Sequence, residues 1–201
     1  MSVVQIIETF GLVGVTIIIF AESGLFFGFF LPGDSILFTA GVLASQGFGN
    51  IAVLVFCVWL AAIAGDSVGY WFGLNIGIKI FNKEKSFFFN KRYPERAREF
   101  YVKHGGRTIV LARFIPAVRT FVPIMAGVGR MQYKKFLSYN IIGGTIWSVG
   151  LTLGGYFLGQ SIPNIDHYIL PIILVIIIVS VIPAVSEIVK SRREIKENTT
   201  P

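Results

Sequence analysis

The sequence predicts an all-α integral membrane protein. Its plan is two inverted repeats, each a re-entrant helical hairpin followed by a transmembrane helix, with an amphipathic interfacial helix between them and a C-terminal transmembrane helix. Three observations predict it. First, 54% of the 201 residues are hydrophobic and mean hydropathy is +0.70. Soluble domains hold roughly 45–50% apolar residues. Second, charge is segregated: residues 1–78 contain no Lys or Arg, and all 18 basic residues lie from Lys79 onward. Third, landmarks recur at nearly one offset. Gly69-Tyr-Trp-Phe-Gly73 returns as Gly155-Tyr-Phe-Leu-Gly159, Phe30-Leu-Pro32 as Phe114-Ile-Pro116, and Ala40-Gly41 as Ala126-Gly127, at offsets of 86, 84 and 86.

The elements follow in order. Segment 10–46 is apolar but broken at Pro32-Gly33-Asp34. The arm after the break is about a dozen residues, too short for a hydrocarbon core that needs about 20. A hairpin entering and leaving on one side fits. Residues 51–80 read as a full span carrying Ala61, Gly65, Gly69, Gly73 and Gly77 at every fourth position, a small-residue stripe that lets another helix approach closely. Residues 81–107 form a basic loop. Within it, residues 94–104 read as a short helix with Ala97, Phe100, Tyr101 and His104 on one face, suited to the headgroup plane. Residues 108–129 are a second broken hairpin, with Pro116 and Pro123 interrupting it. Residues 135–160 and 168–189 are further spans, so 1–189 reads as one membrane domain and 190–201 as a charged tail.

The distribution of Lys and Arg orients these segments. The basic loop, the Arg130/Lys134/Lys135 cluster and the tail belong in the cytoplasm, so the C-terminus is cytoplasmic. The links 46–50 and 161–167 carry no Lys or Arg and belong outside. These assignments agree only if hairpin 108–129 opens inward and hairpin 10–46 opens outward. The side of the first ten residues stays open. No positive n-region begins the chain, so no cleaved leader is expected. The net charge of +7 flanks apolar spans and does not point to nucleic acid. Cys57 is a lone thiol in an apolar run and reads as packing.

Arg113 and Arg119 lie in a segment otherwise apolar enough for hydrocarbon, and the matching first-half segment carries Glu22 and Asp34 around Pro32. Ionisable groups at membrane depth are costly and mark functional sites. Guanidinium forks match a lipid phosphate. The same arginines could instead pair permanently with Glu22, Asp34 or Asp66, or snorkel to the interface. Glu22 and Asp34 are candidate proton carriers or static counter-ions, and Asp34 is also a candidate cap for a helix starting near Ser35. Asp66, on the glycine-striped helix, reads as a pairing partner. Pro32, Gly33, Pro116 and Pro123 shape the hairpins. Tyr70, Trp71 and Trp147 read as packing or interface residues. No ligand spacing supports a metal site, no motif calls for a cofactor, and no nucleophile–base set supports an enzyme.

These residues carry a resemblance. The segment from Phe20 through Glu22 to Pro32-Gly-Asp34-Ser35, then Gly65-Asp66-Ser-Val-Gly-Tyr70, then His104-Gly-Gly with Ala112-Arg113-Phe-Ile-Pro116-Ala-Val-Arg119 through Pro123 to Gly127, resembles the motifs of the DedA family, also called the VTT or SNARE-associated domain. Asn140 and Gly143-Gly144 fit its downstream pattern. The resemblance covers about residues 10–160. It implies opposed re-entrant hairpins, a place in the bacterial inner membrane, and lipid movement.

The function expected is therefore a translocase for a phosphate-headed lipid, most directly undecaprenyl phosphate, coupled to protons. Arg113 and Arg119 would bind the phosphate, and Glu22, Asp34 and Asp66 would carry protons or counter-charge. The alternatives are a phosphatidylethanolamine or general phospholipid translocase or scramblase, and a proton-coupled exporter of small cations or drugs. A scaffold whose charges only fix the fold is a further reading. The partners expected are membrane lipids and protons, with a homo-oligomer left open.

Overall fold

A computed structural model describes residues 3–25, 32–77, 106–162 and 171. Among the described residues every regular element is helical. They are α1 (Val3–Gly24), α2 (Gly33–Ser45), α3 (Ile51–Phe72), α4 (Arg107–Ala112), α5 (Pro116–Val128), α6 (Tyr133–Gly144) and α7 (Gly150–Ser161). A π-helical turn, Gly73–Gly77, extends α3, and another, Thr145–Val149, joins α6 to α7. The expected interfacial helix at 94–104, the span 168–189 and the tail 190–201 lie outside the described residues.

Among the described residues, two continuous helices are long and apolar enough to cross a membrane: Ile51–Ile76, of 26 residues, and Tyr133–Ser161, of 29. At 1.5 Å per residue each exceeds a hydrocarbon core of about 30 Å. They overlap the segments 51–80 and 135–160 read as spans from the sequence. Their outward faces carry Val53, Phe56 and Leu60 on one, and Ile141, Ile142, Ile146 and Phe157 on the other. Exposed apolar side chains in this density suit lipid rather than water. Asn50 starts α3, its side-chain oxygen accepting from the amides of Ala52 and Val53.

The broken segments differ in instructive ways. Helix α1 is kinked at Gly11, whose φ of 56° only glycine adopts readily. Helix α2, 13 residues long, reaches about 20 Å, short of a crossing. Pro116 opens α5 at its first position, where its missing N–H costs nothing. Pro123 does not interrupt the segment as expected. It lies inside α5, packed where a Cβ on Gly69 would touch it. Neighbouring helices make such a proline tolerable inside a membrane protein.

The packing is built on glycines at backbone crossings. Helix α1 crosses α3 where Gly24 meets Gly65, and α5 crosses the end of α3 where Gly127 and Gly73 meet the facing backbone. Helix α2 lies along α7 with Gly41 and Gly155 at the contact. Thus the short helix after each break packs on the long helix of the other half. Two apolar clusters fill the bundle. One runs from Val15 and Ile19 through Leu37 and Ala62 to Trp147. The other gathers Tyr70, Ile109, Ala126 and Phe136.

A Cβ at Gly41 or Gly127 would strike the facing helix backbone, whereas Gly154 has open space around it. Gly41→Ala and Gly127→Ala are expected to destabilise the protein by about 1–3 kcal/mol, an overpacking cost. Gly154→Ala should be neutral. Unfolding in detergent titrated with sodium dodecyl sulfate checks the contrast.

Candidate functional site

Five charges meet in the middle of this apolar bundle. Arg113 follows the last residue of α4, and Arg119 sits in the first turn of α5. Their exposures are 4% and 8%, while Asp66 is 4% and Glu22 0% exposed. A buried charge is tolerated only when paired, and here each pair crosses from the first half of the chain to the second. Arg119 reaches Glu22 of α1 through Nη2, and Asp34 of α2 through Nη1 at 2.6 Å. Arg113 Nη2 pairs with Asp66 of α3 and donates to Asn140 Oδ1 at 2.6 Å.

The arrangement resolves several expectations. Both arginines are interior, so neither snorkels. Asp34 does not cap α2: Pro32 holds the cap position without a side-chain bond. The Asp34 carboxylate instead accepts from Arg119 and, at 2.8 Å, from Trp147 Nε1. Gly33 shapes more than a bend. Its N–H donates to Glu22 Oε1 at 3.2 Å, and a Cβ there would occupy the place of the Glu22 carboxylate. Asp66 stands apart from the Glu22/Asp34 pair, on its own arginine.

Two residues take a role that the sequence reading did not assign them. Trp147, read as packing, is 3% exposed and lies at the π-helical turn between α6 and α7. Its ring faces both guanidinium carbons, Arg119 at 4.6 Å and Arg113 at 5.8 Å from the centroid. A cation over an indole face is attracted by the ring's quadrupole. Asn140 is fully buried and donates to the Ile63 carbonyl at 3.1 Å while accepting from Arg113. It fixes the Arg113 fork. Both residues are polar or aromatic groups inside a span, which is the signal that could have found them.

A cavity of about 190 Å³ opens beside the charges, lined by Asp34, Arg113, Phe114, Ile146, Trp147, Gly150 and Leu151. Sites for drug-sized molecules run to about 300–1,000 Å³, so this one is small. Arg113 contributes to its wall, while Arg119 is enclosed by Glu22, Asp34 and Trp147. Among the described residues, Glu22 Oε2 and the Nε atoms of both arginines are buried without a hydrogen-bond partner. The site therefore holds polar capacity that its internal pairs do not use. With three carboxylates and two guanidiniums, it is formally one negative charge in excess when all are ionised.

Comparison with known proteins gives the site a context. Residues 31–157 match the family described as the VTT domain. Protein DedA of Escherichia coli (strain K12) is 45% identical over 179 residues, covering 88% of this chain and 81% of that protein. An uncharacterized membrane protein of Mycobacterium tuberculosis is 47% identical over 173 residues, 85% of this chain and 75% of the relative. Inner membrane protein YqjA of Escherichia coli (strain K12) is 33% identical over 145 residues, 72% and 66%. No solved structure matches.

Asn140→Leu is expected to remove an acceptor from Arg113 and a donor from Ile63, costing about 1–2 kcal/mol, the upper range for interhelical hydrogen bonds in membranes. Asn140→Gln should recover part of it. Denaturation midpoints of the purified variants check the order wild type, Gln, Leu.

Proposed function

This chain belongs to the VTT-domain family of DedA-like bacterial inner-membrane proteins, and on that footing we propose that it is a lipid translocase. Its cargo on this reading is a phosphate-headed lipid, first among them undecaprenyl phosphate, and its movement is coupled to protons. The single observation that carries the reading is the buried cross-pairing of Arg113 and Arg119 with Asp66, Glu22 and Asp34 beside a small cavity. A lipid head entering there meets Arg113 on the wall, with the tail left in the bilayer. Phosphate oxygens and a carboxylate compete for the same guanidinium hydrogens.

Charge sets the condition for that exchange. An anionic head cannot join a site already one negative charge in excess without repulsion. Protonating Glu22 or Asp34 removes one negative charge and loosens Arg119 at the same moment. The unpartnered Glu22 Oε2 is an atom free to take the proton. Arg119 then swings to the phosphate, and loss of the proton on the opposite side draws it back. The proton and the lipid thus compete for one arginine.

The reading includes two inverted repeats, with segments 10–46 and 108–129 as re-entrant hairpins. Two contacts support it. Trp59 Nε1 donates to Thr145 Oγ1 at 2.8 Å across a sequence separation of 86, and Arg119 meets Asp34 across 85. Residues related by the repeat offset touch one another when they lie beside a pseudo-twofold axis. The exchanged packing of α2 on α7 and of α5 on α3 supports the same symmetry. In transporters of this plan the site lies near the midplane where broken segments meet. The basic loop and C-terminus then face the cytoplasm by the positive-inside rule.

The test is transfer of labelled undecaprenyl phosphate across proteoliposomes carrying the purified protein. The wild type should transfer lipid faster with an imposed pH gradient. Arg113→Ala and Arg119→Ala should each slow transfer by about 100-fold, the scale of losing a charge-stabilising donor. Equal rates for wild type and Arg119→Ala would sink the reading.

A further inference from the structure

Glycine inside a helix costs stability relative to alanine, so each one in a spanning helix asks for a reason. Within Ile51–Ile76 and Tyr133–Ser161 the reason is close approach. Every glycine but two lies where an added Cβ would meet another segment, from Gly65 against α1 to Gly159 against Ser45. The two are Gly150 and Gly154. A Cβ at either meets no neighbouring segment within 4 Å, and both are exposed. The repeat does not require them, since the positions 86 residues earlier hold Ala64 and Val68. Four residues apart, they share one face of α7 and leave a groove in its outer surface.

The groove begins at the cavity beside the charges. Gly150, Ile146 and Phe114 line that cavity along with Arg113, Trp147 and Asp34. The lining divides by exposure. Arg113 and Trp147 are 4% and 3% exposed, whereas Phe114 and Ile146 are 47% and 53%. The cavity therefore has a polar floor and an apolar outward rim. Among the described residues, the buried Arg113 Nε also lacks a hydrogen-bond partner. Trp147 is the midpoint of Tyr133–Ser161, with about 20 Å of helix to either end. At that depth the rim opens into hydrocarbon rather than water. Exposed Ile142 and Leu111 continue the apolar surface on the two sides of the rim.

We propose that the gap between Phe114 and the Ile146–Gly150 edge is a lateral portal, and that the hydrocarbon chain of the lipid whose phosphate meets Arg113 lies in the groove over Gly150 and Gly154. The proposal deepens the translocase reading and rests on it. It names the route by which the head reaches Arg113 and the surface that holds the chain. With no side chain at either glycine, methylene groups touch the helix backbone directly, and many such contacts add up to a useful dispersion energy. The portal also selects its cargo. An amphiphile reaches it from within the bilayer, its chain already in hydrocarbon. A water-soluble cation would have to shed its hydration to arrive there, at a large cost.

The test uses the full chain in phosphatidylcholine liposomes with undecaprenyl phosphate that carries a photoreactive diazirine in its chain, near the phosphate. Illumination should label residues 146–154, read by mass spectrometry of the digested protein. Gly150→Leu/Gly154→Leu fills the groove and should lose most of that label. The same variant should transfer undecaprenyl phosphate about tenfold more slowly, a modest rise in barrier. Its unfolding midpoint in sodium dodecyl sulfate should stay at or above wild type, because leucine is the better helix former and the space is open. Wild-type label that falls elsewhere on the chain, or a double variant with wild-type transfer, overturns the portal. So does a lowered midpoint, which would mean that protein already fills the groove. A wild type that transfers no undecaprenyl phosphate overturns the translocase reading itself, and the portal with it.

Discussion

The bundle depends on five charges that cannot be left alone. Hydrocarbon offers no solvation to a guanidinium or a carboxylate, so each must find its opposite inside the protein. Removing one member of a buried pair typically costs about 3–5 kcal/mol, because the other is left stranded. Arg119 can satisfy itself only by bringing α5 to α1 and α2, and Arg113 only by reaching α3 and α6. The two halves of the chain are thus stitched at the centre by electrostatics. The glycine contacts of α2 with α7 and α5 with α3 complete the closure by dispersion and close approach.

The same pairs that hold the halves together are poorly suited to permanence. Asp34 is shared between Arg119 and Trp147, and its side chain is 16% exposed, against 0% for Glu22. Glu22 uses one oxygen and leaves the other idle. Replacing ion pairs by apolar residues is often neutral or stabilising, so packing alone does not require this cluster. Its composition makes sense as a device with more than one way to satisfy its charges. The Trp147 face and the π-helical turn beneath it are where such rearrangement is least costly, since a π turn already departs from the regular ladder.

Much of this was legible in the chain, for identifiable reasons. Ile51–Ile76 and Tyr133–Ser161 are long apolar runs, and no competing signal obscures them. The four decisive ionisable residues, Glu22, Asp34, Arg113 and Arg119, stood out because charge at membrane depth is rare. Their pairing was open, because Arg119 lies 85 residues from Asp34 and no local periodicity encodes such a contact. Pro123 misled: a proline reads as a break in one chain, yet packing against α3 carries α5 through it. Trp147 and Asn140 look like ordinary residues of a span. Only the geometry reveals that one faces both arginines and the other fixes the Arg113 fork. The role of Gly33 was hidden likewise, since a glycine chosen for close approach looks the same as one chosen for a turn.

On the repeat reading, the scaffold is symmetric and the chemistry is not. The position 86 residues after Asp66 is Thr152, and no arginine occurs in residues 1–91, which hold the whole first repeat. A duplicated hairpin-and-helix unit would give two equivalent ways of opening, one to each side. If both halves carried the same charges, neither opening would be distinguished by the protonation state. Putting acids in one hairpin and arginines in the other makes the central ion pairs belong to the interface between halves. Whatever breaks those pairs, a proton on Glu22 or Asp34 or an anion on an arginine, then acts directly on the contact that sets which side is open. On that reading, asymmetry in five side chains would allow a symmetric fold to respond to a gradient.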